Sequence, residues 1–167
     1  MFSNSFRVVY NAMIYIYGGY DADGFCSADI FCYSIEQKTW SRVPANKTQV
    51  KEFDLERFHH TAVSTENVML VFGGKDSSGK VCDNKLLEFH YDTNTWSVIQ
   101  TVGFAPCPRW GHCCAVTEYE LRFVFIFVNS VLNFWCREFM YIFGGCDGPS
   151  EFADLYQYHF GTHTALL

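Results

Sequence analysis

This chain of 167 residues has little of several features that mark other classes of protein. It contains four prolines and no block of five like charges, and none of its cysteines are paired in the C-x-x-C spacing typical of structural zinc sites. The net charge is −6, and the lysines and arginines are scattered singly. Phosphate binding needs clustered basic residues, so nucleic acid is not an expected partner.

The sequence also lacks a recognisable secretory signal or membrane span. The first residues have neither the basic nor the apolar region of a signal peptide. The longest uncharged apolar stretch runs only from 123 to 136, whereas a spanning helix needs about 20 residues. We therefore interpret the eight cysteines as reduced, small apolar side chains, and we expect a cytoplasmic protein.

Local patterns of common catalytic and metal sites are missing too. There is no serine nucleophile elbow, no phosphate-binding loop and no H-E-x-x-H pair. His112, Cys113 and Cys114 offer zinc-binding atoms, but not at zinc-binding spacing. From the sequence we expect no enzymatic activity, no cofactor and no metal.

What the sequence does contain is a repeated pattern of glycines and aromatic residues. A double glycine ends three apolar, strand-like runs, and an aromatic residue lies seven positions before a tryptophan in the first two copies. A repeat of about 50 residues with a double glycine is typical of four-stranded propeller blades. The positions that we interpret as this structural motif are Gly18, Gly19, Tyr33, Trp40, Gly73, Gly74, Phe89, Trp96, Gly144, Gly145 and Tyr158.

Together these residues resemble the kelch repeat. The runs that start with Arg57-Phe58-His59-His60 and Arg109-Trp110-Gly111-His112 are similar to the arginine and histidine that open that family's first strand. The resemblance covers about residues 5 to 160. It implies an all-β fold of kelch-type β-propeller blades, each a four-stranded antiparallel meander. Such rings normally close with about five to seven blades, so about three blades imply a partial or open propeller.

The pattern divides the chain as follows. The first blade spans 5–43, a connecting loop 44–57, the second blade 58–99, a further loop 100–108, the third blade 109–160, and a tail 161–167. The third copy has Ala165 where a tryptophan is expected. Its fourth strand is therefore predicted to be missing or degenerate.

The third blade also carries extra residues. His112 and Gly144 are 32 positions apart, whereas His60 and Gly73 are 13 apart. Segment 119–137 accounts for the difference and is interpreted as an insertion. It has two explanations: a hairpin that extends the blade, or the in-frame translation of a short intron.

One edge of the propeller is predicted to carry the interaction site. In an antiparallel meander, the loop before the first strand and the loop after the second emerge together, and loops on a rigid scaffold commonly bind partners. In kelch proteins similar to this one, that face commonly receives a peptide from a partner protein. The predicted partner-binding residues are Arg57, Phe58, Asp76, Arg109, Trp110 and Asp147.

The arginines and aromatics of this edge allow two interpretations. Arg57 and Arg109 would suit an acidic peptide segment, because guanidinium pairs bidentately with carboxylate. Alternatively, each arginine pairs with an aspartate of its own loops. Likewise, Phe58 and Trp110 are either exposed anchors or packing residues within the blades.

The sequence as a whole predicts a protein–protein interaction module of the adaptor or substrate-receptor type, as in a ubiquitin ligase or a trafficking assembly. One alternative is an enzyme on the same scaffold, such as a copper-dependent oxidase. Another is an inert structural fragment of a larger kelch protein. Because three blades do not close a ring, we expect further blades or oligomerisation, and we favour a piece of a larger protein.

Overall fold

The computed structural model describes residues 4–46, 50, 55–117 and 138–167, and every helix or strand in that part of the chain is a β-strand. The predicted insertion, 119–137, lies outside the described residues. The strands are β1 (Phe6–Tyr10), β2 (Met13–Tyr17), β3 (Ile30–Ser34), β4 (Thr39–Val43), β5 (Thr61–Ser64), β6 (Val68–Phe72), β7 (Leu86–His90), β8 (Thr95–Ile99), β9 (Val102–Gly103), β10 (Cys113–Thr117), β11 (Phe139–Phe143), β12 (Leu155–His159) and β13 (Thr164–Leu166).

These strands form three sheets that follow the chain. The first has the order β1-β2-β3-β4, the second β5-β6-β7-β8, and the third β10-β11-β12-β13-β9. Each of the first two is a four-stranded antiparallel meander in which the aromatic residue of the third strand lies opposite the tryptophan of the fourth, as in the Tyr33 and Trp40 pair. The propeller-blade architecture predicted from the sequence is therefore confirmed.

Local sequence explains the tight turns between strands. Asn11 and Ala12, between β1 and β2, both have positive φ, 46° and 57°, as a two-residue type I′ hairpin requires. The residue before the last strand of each sheet also has positive φ: Lys38 at 56°, Asn94 at 54° and His163 at 54°. The third sheet thus turns into its last strand in the same way as the other two.

The end of the chain differs from the sequence-based expectation. Residues 161–167 were predicted to be a tail, but β13 lies within them and pairs with β12, with Ala165 opposite Tyr158. A strand is held by backbone hydrogen bonds to its neighbour, so it forms here without the tryptophan. The fourth strand is therefore short but present.

The connecting segments run along the outer strand of the sheet that follows them. Strand β9, within the predicted 100–108 loop, pairs in parallel with β13. One repeat earlier, Asn46 forms a parallel bridge with Thr95 at the start of β8. Each connection therefore helps to join two successive sheets.

Two hydrophobic cores lie between the three sheets. The first joins sheets one and two and centres on Trp96, which is fully buried beside Tyr17 and Phe89. The second joins sheets two and three and contains Phe72 and Met140. Stability thus comes from packing between neighbouring blades.

The two outer faces of the stack carry apolar side chains that no described residue covers. On the first sheet, Trp40 is 57% exposed, whereas Trp96, its equivalent on the second sheet, is 0% exposed. On the third sheet, Phe143 is 52% exposed, whereas its equivalent Phe72 is 2% exposed. The three sheets therefore form an open arc of blades and not a closed ring.

Candidate functional site

Similar loops lie at one edge of all three sheets, and the third is one residue shorter than the other two. Each begins just after a double glycine and closes with an isolated antiparallel bridge, as between Lys75 and Val81. In the second and third sheets, the segment that leads into the sheet crosses beside that sheet's own loop: Phe58 bridges Lys75, and Trp110 bridges Cys146. The loop before the first strand and the loop after the second are thus neighbours.

Double glycines join consecutive blades at this edge. The amide of Gly19 donates to the carbonyl of Arg57 over 2.8 Å, and the amide of Gly74 donates to the carbonyl of Arg109 over 2.9 Å. Gly73 has φ of +63°, and a Cβ there would lie 2.8 Å from Cε1 of His112. Glycine is needed because both the backbone conformation and the close approach of the next blade exclude a side chain.

The guanidinium group of Arg109 is buried and paired inside the scaffold. Its Nη1 and Nη2 lie 2.5 Å and 2.9 Å from the two carboxylate oxygens of Asp154. Nη1 also donates to the carbonyl of Gly144 over 2.9 Å, and the guanidinium lies 4.3 Å from the ring centre of Phe152. The same ion pair lowers the pKa of Asp154, chiefly through the hydrogen bond from Arg109.

Arg57 is buried as well, and its Nη1 donates to the carbonyl of Gly73 over 3.1 Å. These positions correct the interpretation of Arg57 and Arg109 as ligands for an acidic peptide, because neither guanidinium reaches the surface. For Arg109, pairing with an aspartate of its own blade is what the structure shows. The physical reason is that a buried guanidinium needs several acceptors, and the blade supplies them.

Asp76 and Asp147 shape their own loops. Oδ1 of Asp76 accepts hydrogen bonds from the amides of Ser78 and Lys80, over 2.9 Å and 3.0 Å. Oδ1 of Asp147 accepts one from the amide of Ser150 over 2.9 Å. Such bonds between an aspartate and the following backbone are typical of loop-forming positions. These two predicted site residues therefore hold the loops in place.

A line of partly exposed rings crosses this edge from the first blade to the third. Tyr20 contacts Phe58 with 4.9 Å between ring centres, Phe58 contacts His59 at 5.2 Å, and His59 contacts Trp110 at 5.3 Å. The ammonium group of Lys75 lies 3.8 Å from the centre of the Trp110 ring. We call these five residues the aromatic row.

The same contact between consecutive blades occurs twice in the aromatic row, once between two rings and once between a cation and a ring. Tyr20 and Lys75 follow the double glycines of the first and second blades, and Phe58 and Trp110 open the second and third. Tyr20 meets Phe58 edge to face, and Lys75 meets Trp110 as a cation over a ring. All four are intermediate in exposure. The row therefore offers ring surface and one cation to solvent.

His59 lies between the two halves of the row. Its φ is +55°, and its carbonyl accepts a hydrogen bond from the amide of Gly111 over 3.1 Å. Partial burial and then the charge of Lys75 lower the pKa of His59. Its ring is therefore neutral at physiological pH.

Three members of the row were not predicted from the sequence. They are Tyr20, His59 and Lys75. Tyr20 and Lys75 hold the position after the double glycine, but the residue type there differs between blades, and the third blade has Cys146. The one signal available was that position itself. Phe58 and Trp110, by contrast, were predicted, and each contacts His59 from one half of the row.

Within the described ranges, no group of three or more histidines, cysteines and acidic residues is arranged to hold a metal ion, and no helix is long and apolar enough to cross a membrane. His112, a member of the weak zinc-like run, is buried with its Nε2 2.7 Å from Oγ1 of Thr61. Burial and then the charge of Arg109 lower the pKa of His112 to about 4.

Comparison with known proteins agrees with this arrangement. Residues 3–139 match the family described as the KLHDC2/KLHL20/DRC7 Kelch-repeats domain. The chain is 32% identical over 111 residues to the Rho GTPase-activating protein gacHH of Dictyostelium discoideum, covering 64% of this chain and 7% of that protein.

Two further relatives carry kelch motifs in their names. The Rab9 effector protein with kelch motifs of Mus musculus is 31% identical over 109 residues, 65% of this chain and 28% of its own length. Kelch domain-containing protein 3 of Homo sapiens is 23% identical over 156 residues, 89% of this chain and 36% of its own length. The chain thus spans between 7% and 36% of the length of these relatives.

Proposed function

Because this chain belongs to the kelch-repeat family, a fold that generally mediates protein interactions, we propose that it binds a protein partner through the aromatic row. The observation that carries the proposal is the unbroken series of ring contacts from Tyr20 to Trp110 across three blades. Aromatic residues with a fixed geometry and partial exposure are favoured anchors in protein interfaces.

The row is suited to an extended segment of a partner. Its members come from separate loops held by a rigid scaffold, so binding orders few protein side chains. One of the two sequence-based interpretations was an acidic segment bound by Arg57 and Arg109, but the guanidinium groups of both are buried. Lys75 is the cation within the row, and it lies against the Trp110 ring. We propose that a carboxylate of the partner pairs with Lys75 while an apolar side chain lies on the rings.

We propose an adaptor or substrate-receptor role for the protein that contains these blades. The name of one relative, an effector of Rab9 with kelch motifs, favours a trafficking assembly over a ubiquitin ligase. The described residues contain no segment that resembles an attachment to either assembly.

We also propose that further kelch blades cover the two outer faces. Trp40 and Phe143 are exposed at positions where the inner blades bury Trp96 and Phe72. The same two kinds of face pack against each other twice within the chain, so a blade before the first sheet and a blade after the third would bury both. These blades belong either to a longer chain or to a second copy.

Testing the proposed function starts with a partner captured from cell extract, identified by mass spectrometry and then purified. Its affinity is measured for the unmodified chain and for the variants Trp110→Ala and Lys75→Ala. We expect each variant to weaken binding by about tenfold or more, as for the anchors of an interface.

Two matched controls separate the row from other surface residues. Trp40→Ala removes an exposed tryptophan from an outer sheet face, and Lys85→Ala removes a lysine that pairs with Asp83 over 2.6 Å. Both should leave affinity unchanged. If Trp40→Ala abolishes binding and Trp110→Ala does not, the partner occupies the outer face and the proposal is wrong.

A further inference from the structure

The contact between the second and third sheets leaves a cleft where the contact between the first and second is filled. In the first contact, the ring of Tyr91 stacks on Tyr10 with 4.2 Å between centres and touches Tyr15 at 4.7 Å. One blade later, strand pairing places Thr65 and Leu70 at the positions of those two tyrosines. Both replacements are smaller, and a cleft of about 290 Å³ lies there.

The walls of this cleft combine apolar surface with negative charge. Its lining includes Glu66 and Glu88, and no lysine or arginine. The repeat-equivalent of Glu88 in the first sheet is Cys32, since each lies third in its strand. The charge is therefore particular to this contact. The apolar part of the lining comes from Val68, Leu70, Ile99 and Phe160.

Glu88 is held in one orientation. Its Oε1 accepts a hydrogen bond from Oγ of Ser97 over 2.6 Å, and Nε2 of His90 lies 3.4 Å away. Its side chain is 23% exposed, so it is partly removed from water without being sealed off. A carboxylate in such a place interacts with a cation more strongly than one on the open surface.

A polar pair completes the lining. The hydroxyl of Tyr158 and Nδ1 of His163 are 2.7 Å apart. Burial and then the nearby Glu88 raise the pKa of Tyr158 to about 12, so its hydroxyl stays protonated at neutral pH. In the other blades Tyr33 and Phe89 hold this position, and His163 corresponds to Asn94.

We propose that this cleft binds a primary ammonium or guanidinium group on an apolar stem, with Glu88 as the counter-ion and the apolar wall around the stem. Two sources supply that chemistry: a small organic amine, and the lysine or arginine side chain of a partner. The cleft volume is near the lower limit of about 300 Å³ for small-molecule sites, which suits one such group and not a large ligand.

This site is separate from the aromatic row. Thr65 and Glu66 form the turn between β5 and β6, whereas the row follows the double glycine after β6. The two sites are thus at opposite ends of that strand. The inference therefore does not depend on the proposed function, and either can fail alone.

The test is calorimetric titration of the full chain with two probes. The first is phenethylammonium chloride, with 2-phenylethanol as its uncharged counterpart. The second is a short capped peptide with one lysine, compared with the same peptide carrying acetyl-lysine. We expect saturable binding of at least one charged probe and none of its neutral counterpart. Amine-only binding identifies a small-molecule site, and binding of the peptide identifies a partner's side chain.

Variants decide whether the cleft is the site. Glu88→Gln removes the charge, and Thr65→Tyr places in the cleft the side chain that Tyr10 provides in the first contact. Each should weaken binding by about tenfold or more, whereas Glu36→Gln, at an exposed turn, should not. The proposal is overturned if no charged probe binds, if charged and neutral probes bind equally, or if Thr65→Tyr leaves affinity unchanged.

Discussion

Arg109 and Asp154 form a two-point ion pair between residues that are 45 positions apart in the chain, with N–O distances of 2.5 Å and 2.9 Å. The guanidinium is fully buried, and about a quarter of the aspartate side chain remains exposed. This pair connects the entry of the third blade to the loop before β12. The third blade is thereby held closed at the edge that carries the aromatic row.

We expect Asp154→Asn to lower the free energy of unfolding by roughly 2 kcal/mol. The substitution leaves a buried guanidinium without its counter-ion, which costs more than the net value of the pair, and partial exposure of Asp154 reduces the loss. Asp83→Asn, which breaks the exposed pair with Lys85, is the matched control and should cost less than about 1 kcal/mol. Urea denaturation measures both, and equal losses would contradict the role of burial.

Acid should destabilise the fold through its buried histidines. Burial lowers the pKa of His60 well below its ordinary value and that of His112 to about 4. Between about pH 6.5 and 4, the unfolded chain therefore binds more protons than the folded one, so stability falls as pH falls. The loss from His112 alone is of the order of a few kcal/mol.

The measurement is the free energy of unfolding at a series of pH values from 7 to about 4, compared with that of His112→Gln. The variant removes one titrating group, so its stability should depend less steeply on pH in this window. An identical slope would show that His112 does not contribute to the acid sensitivity.

The scaffold was predictable because it depends on local patterns. The double glycines and the spacing of Tyr33 to Trp40 correctly predicted where strands end and that the first two blades are four-stranded meanders. Strand β13 was missed because its signal was a tryptophan, and Ala165 stands there; the backbone pairing that holds the strand leaves no mark on side-chain type.

The candidate site was less predictable, since it depends on contacts between distant residues. The sequence could not say whether Arg109 faces a partner or Asp154, because that depends on how the blade folds around the guanidinium. Lys75 was not among the predicted residues for a similar reason: its place over the Trp110 ring depends on how the second and third blades meet. Phe58 and Trp110 were predicted because they share one repeat position, and their part in binding stays a prediction.

The two glycine positions in the second blade should differ sharply in their tolerance of alanine. A Cβ at Gly73 would meet Cε1 of His112 at 2.8 Å as well as the Arg109 carbonyl, whereas at Gly79 no atom lies within 4 Å. Both residues have positive φ, so both variants carry a conformational cost of about 1–2 kcal/mol. Gly73→Ala should cost roughly 2 kcal/mol more, because the next blade must shift.

Thermal and urea unfolding of Gly73→Ala and Gly79→Ala measure this difference directly, and Gly79→Ala serves as the control for backbone strain. Similar losses in the two variants would mean that the third blade does not pack against the second double glycine in solution.

Trp40 and Trp96 provide the last prediction, because they occupy one repeat position in two environments. Trp96→Ala removes a fully buried side chain and should lower the free energy of unfolding by about 3–5 kcal/mol. Trp40→Ala removes a ring that is 57% exposed and should cost the isolated chain less than about 1 kcal/mol.

Light scattering during the same experiments reports the size of the species. A large loss for Trp40→Ala in a monomer would contradict the exposed face, whereas a large loss in a dimer would show that a second copy covers it. Adding a preceding blade should make the two variants equally costly, since both tryptophans would then be buried between sheets.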